Sequence, residues 1–137
     1  MTFSRSLLLA VASGILATVA CLILQYAYKV ATESDFSLLI PWWKYLASCL
    51  VGCILASLGY FAIMKTMPKS GEIVFNFLFA ALSFASIALP IKYMEFKAEN
   101  MSEEAAWALG YVQVFAITLH FFPIISWFTL KPIFIKK

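Results

Sequence analysis

LLLAVASGILATVACLILQYAY, residues Leu7–Tyr28, contains no Asp, Glu, Lys or Arg. Three more stretches are equally free of charge: Tyr45–Met64, Ile73–Ile91 and Ala105–Leu130. A helix rising about 1.5 Å per residue needs about 20 residues to cross roughly 30 Å of hydrocarbon. Each stretch reaches that length, Ile73–Ile91 only narrowly. Lys44 and Lys92 sit at the edges and leave the interiors blank. A soluble bundle of such helices would need a charged outer face on each, and none of the four has one. The sequence therefore predicts four transmembrane helices.

The composition agrees. Of 137 residues, 64% are hydrophobic and 12% charged, far more apolar than a soluble domain. The four spans use nearly the whole chain, so a single integral membrane domain is expected over residues 1–137. The connection Lys65–Gly71 (KTMPKSG) is short and rich in turn formers, which makes helices two and three antiparallel neighbours. The expected fold is an all-α, antiparallel four-transmembrane-helix bundle.

Charge sets the orientation. With the N-terminus in the cytoplasm, the inner segments hold Arg5, Lys65, Lys69, Lys131, Lys136 and Lys137 against Glu72 alone. The outer segments hold Lys29, Lys44, Lys92 and Lys97 against Glu33, Asp35, Glu95, Glu99, Glu103 and Glu104. Six cations inside and four outside favour both termini in the cytoplasm under the positive-inside rule. No basic run is dense enough for nucleic acid, so the bilayer is the expected partner. Thr18-Val19-Ala20-Cys21 resembles a lipoprotein cleavage box, but Thr suits its first position poorly. The apolar run also continues through Leu22, Ile23 and Leu24, longer than a signal peptide needs.

The ends of the spans carry interface signals. Pro41 suits the first turn of helix two. Trp42 and Trp43 follow as an aromatic belt, with Lys44 placed to snorkel outward. Helix three is expected to end after Pro90. Asn100 or Ser102 would cap helix four, with Glu103 and Glu104 in its first turn.

Small residues recur at helical spacing. Ala10, Gly14 and Thr18 form one stripe of helix one, beside Ser13, Ala17 and Cys21. Ser48, Gly52 and Ala56 form one on helix two, beside Cys49, Cys53 and Ser57. Such stripes let backbones approach closely where burial away from lipid tails gains little, so helices one and two should be the closest pair. Phe75, Phe77, Phe79 and Phe84 of helix three suit groove filling or lipid contact. Gln25 and Asn76 suit interhelical hydrogen bonds.

His120 is the only histidine. Gln113, Ala116, His120, Pro123 and Trp127 share one helical face, which should point into the bundle because an unpaired polar group in hydrocarbon is costly. Depth matching places Ser57 and Ser83 near its level. Pro123 cannot donate to the Leu119 carbonyl, so a kink is expected there. The imidazole reads either as a ligand-binding or proton-handling group, or as a neutral histidine holding helix four in register.

Other constellations carry less. Cys49 and Cys53 have three intervening residues in mid-helix, where redox pairs use two near a helix start, and Cys21 has no partner by spacing. All three read as packing residues, and no metal-ligand set is present. Glu95, Glu99 and Glu103 read as a solvated face. The first span lacks the intramembrane glutamate of small proton-coupled exporters, and one histidine cannot supply a haem pair within one chain. No catalytic residues, metal or cofactor are expected, and no enzymatic activity.

Ile40-Pro41 before helix two, the segment from Ser86 to Pro90, and Leu119-His120 resemble a family of small bacterial four-helix integral membrane proteins of unknown function. The resemblance covers most of the chain, though Trp42-Trp43 and the long acidic third loop depart from it. It implies the four-helix fold and a bacterial cytoplasmic (inner) membrane, and no activity. The expected role is action through helix contacts, as a homo-oligomer or an accessory subunit of a membrane complex. An alternative is a binding or transport module for a small lipophilic ligand near His120, Gln113, Ser83 and Ser57. A second alternative is a membrane thiol or redox protein.

Overall fold

The computed structural model describes residues 2–33, 37, 40–98 and 103–135. Among them the regular structure is wholly helical: α1 (Phe3–Thr32), α2 (Trp42–Thr66), α3 (Gly71–Ala98), α4 (Glu103–Leu119) and α5 (Phe121–Phe134). Four segments are long and apolar enough to cross a bilayer: Phe3–Thr32, Trp42–Thr66, Gly71–Lys92 and Gly110–Phe134. The last joins the end of α4 to α5. This architecture fits an integral membrane protein. Asp35, Glu99 and the predicted caps Asn100 and Ser102 lie outside the described residues, as do the side chains of Glu95, Glu103 and Glu104.

The helix boundaries differ from expectation in three places. Pro41 is the N-cap of α2, extended at φ −68° and ψ 155°, and not a residue of its first turn. Its carbonyl accepts from Lys44 N at 3.0 Å, so Trp42 and Trp43 open the helix and lie exposed. Lys44 Nζ sits 5.7 Å from the Trp43 ring centroid. Second, α3 does not stop at Pro90 but runs on to Ala98. Proline removes one helical bond; leaving the helix in apolar surroundings would strand several backbone groups, a larger cost. Third, the fourth span breaks at His120. The His120 N–H turns back to Ile117 C=O at 3.2 Å and the helix restarts at Phe121. Pro123 then falls in the first turn of α5, where its missing N–H has no intrahelical acceptor to serve.

α1 packs most extensively on α2 and next on α5. Ser6, Leu9, Ala10, Ser13, Gly14, Ala17, Thr18 and Cys21 form its buried stripe, which contains all six small residues expected there. A Cβ at Gly14 would stand 2.7 Å from Leu50 Cδ2 and 3.0 Å from Leu50 Cα, so only glycine permits this approach. On α2, Cys49, Cys53, Ala56 and Ser57 are buried; Ser48, predicted as a packing residue, is exposed.

A second knot of packing ties α2, α3 and α5 at the Glu72 end. Trp127 is fully buried between Tyr60, Phe75, Phe79 and Phe128, with ring centroids 4.9–5.7 Å away. Its Nε1–H donates to Ser57 Oγ at 2.8 Å, and the Ser57 carbonyl accepts from Ser6 Oγ at 2.9 Å. Lys131 Nζ reaches Glu72 Oε1 at 2.8 Å while lying over the Tyr60 and Trp127 rings. The alkyl stem and rings thus stay dry while the charge keeps a carboxylate partner.

Candidate functional site

α3 is the least embedded of the long helices. Within its apolar window 6% of residues are buried, against 39% in α1. Its contact with α2 is slight, and a cleft of about 700 Å³ opens between α2, α3 and the α4–α5 junction. Lys44 and Ile40 mark one end, Ile63 and Phe75 the other. From Lys44 to Ile63 along α2 is roughly 28 Å at about 1.5 Å per residue, so the cleft follows most of the helix.

Its wall is mostly apolar, with Leu55, Leu78, Phe79 and Leu82 along it, Tyr45 and Ser48 near the Lys44 end, and Gly52 and Gly59 widening it by lacking a side chain. Polar groups converge at one level. His120, half-buried at the helix break, places Nδ1 3.2 Å from Ser86 Oγ. Ser86 Oγ lies 2.7 Å from the Ser83 carbonyl, and Ser83 Oγ donates to Phe79 C=O at 2.8 Å. Ser83, Ser86 and His120 all line the cleft.

The predicted ligand set is therefore brought together only in part. His120 and Ser83 meet on the cleft wall. Ser57 faces the other way, bonded to Trp127, because it lies on the α2 face that packs against α1 and α5. Gln113 is half-buried and does not line the cleft. Ser86, the residue that meets the imidazole, was read only as part of the segment preceding Pro90. Its spacing from Ser83 and Pro90 was visible, but the rotation of α3 that turns it toward His120 was not. Of the predicted packing residues, Ser48, Gly52 and Ala56 border the cleft; a Cβ at Gly52 would meet Pro123 Cβ at 3.8 Å.

The thiols pair differently from their spacing. Cys21 Sγ and Cys49 Sγ lie 3.8 Å apart across α1 and α2, and Cys53 Sγ approaches Pro123 O at 3.8 Å. All three are free and buried. A disulfide would require closure to about 2.05 Å, so the present geometry is that of packed thiols sharing a weak hydrogen bond. Among the described residues no three His, Cys, Asp or Glu side chains converge as metal ligands. No protein-family model, curated protein or solved structure matches the chain.

Proposed function

We propose that this protein is a membrane-embedded binding module that holds a small lipophilic molecule in the α2–α3 cleft, with His120 contacting its polar group. One observation carries the reading: a largely apolar cleft of about 700 Å³ with a hydrogen-bonded polar cluster, His120–Ser86–Ser83, in its wall. Ligand sites have roughly 300–1,000 Å³ and a few polar groups in an apolar lining. Both termini lie in the cytoplasm and the four spans run antiparallel, a reading supported by the excess of Lys and Arg on one side and by the short link 65–71. The resemblance to small bacterial four-helix proteins supports a bacterial inner membrane. The test is His120→Ala in lipid nanodiscs. Binding of a long-chain alkylphenol should weaken about tenfold or more with thermal stability little changed. A variant that only melts earlier, with binding intact, would make the histidine a structural residue.

A second reading, contact with another membrane helix, is favoured by α3. Ile73 and Phe77, one turn apart on the same face, are each 74% exposed. This face suits a second copy of the chain or a larger complex in which the protein is an accessory subunit. A cysteine at position 77 should then give one defined cross-linked product in native membranes; monomer alone would count against it.

A further inference from the structure

We infer that the cleft selects its lipophile by a hydrogen-bond donor, an alcoholic or phenolic hydroxyl, which donates to Nε2 of His120. This rests on the cleft being a binding site and adds what kind of head group it takes.

Ser86 Oγ has one proton to give. It lies 2.7 Å from the Ser83 carbonyl and 3.2 Å from His120 Nδ1, and a carbonyl can only accept. The proton therefore belongs to the Ser83 bond, and Nδ1 must be the donor toward Ser86 Oγ. The cleft lining contains no acid, and a charged imidazole in hydrocarbon is costly, so the ring is neutral. A neutral imidazole with its proton on Nδ1 has a bare lone pair on Nε2. Among the described residues His120 has no other side-chain partner.

The surroundings repeat the same polarity. Pro90, inside α3, supplies no N–H to the Ser86 carbonyl. Ser86 lines the cleft. The two serine hydroxyls beside His120 already donate to backbone carbonyls. Beside His120 the cleft thus presents two acceptors without their ordinary donors, Nε2 itself and the Ser86 carbonyl. A ketone, quinone, ester or ether oxygen would meet them lone pair to lone pair. A long-chain alcohol, alkylphenol or hydroquinone fits, with its tail along Leu78, Leu82 and Phe75.

Because His120 is the only histidine, ¹⁵N-histidine labelling reads this site alone. In lipid nanodiscs, the labelled protein is titrated with 4-nonylphenol and with its methyl ether, 4-nonylanisole. The expected spectrum has a protonated Nδ1 and an unprotonated Nε2, with the Nε2 resonance shifting on addition of the phenol. The phenol should bind about tenfold tighter than the ether. In Ser86→Ala, where the tautomer is no longer fixed, that preference should shrink. A proton found on Nε2 in the free protein, or equal binding of the two compounds, overturns the donor rule while leaving a lipophile site in place. Failure of both compounds to bind overturns the donor rule and the binding reading together.

Discussion

Trp127→Ala should lower the unfolding free energy by about 3 kcal/mol, the low end for truncating a buried aromatic. The ring is fully buried and touches four others from α2, α3 and α5, so no single neighbour can move in to refill the space. Two consequences add to the cavity. Ser57 Oγ loses its donor, and Lys131 loses one of the rings beneath its ammonium. Trp127→Phe keeps most of the packing and removes the Nε1–H bond, for a loss of about 1 kcal/mol. Trp42→Ala, at an exposed ring, should stay within about 0.5 kcal/mol of the parent. Denaturant unfolding in one detergent orders the three; equal losses for Trp127→Ala and Trp42→Ala would contradict the packing described.

The second large effect concerns binding. Ser83→Phe should abolish occupancy of the cleft while leaving the fold intact. Ser83 lines the cleft, and its hydroxyl bonds only one turn back along its own helix, to Phe79 C=O. Replacing it orphans no interhelical partner, and the ring fills the space beside His120. Stability within about 0.5 kcal/mol of the parent, as expected away from buried networks, separates blocking from misfolding.

Much of the architecture was legible because absence of charge over a bilayer's thickness is a coarse signal that needs no knowledge of partners. The small-residue stripe of α1 was legible for a similar reason: Ala10, Gly14 and Thr18 repeat at the helical period, and all are buried. Rotation about a helix axis was harder to read where no polar face marks it. Ser57, expected near the level of His120, instead meets Trp127 about 10 Å further along the fourth span, on the α1–α5 side. Phe77 and Phe84 face outward while Phe75 is buried, a division the run of phenylalanines did not announce. Cys21 and Cys49 meet across two helices, so neighbouring Cys53 drew attention that belonged to the pair. Lys131 and Glu72 counted only as cytoplasmic charges, yet they pair across 59 residues. Pro90 gave the opposite error, a helix stop expected where α3 continues.

The most direct test of the cleft as a ligand site is mass spectrometry of lipophiles extracted from protein purified out of its native membrane, comparing the parent chain with Ser83→Phe. A hydroxyl-bearing lipophile should accompany the parent at close to one per chain and be missing from the variant. Identical extracts from the two, holding only the phospholipids of the surrounding bilayer, would contradict the account.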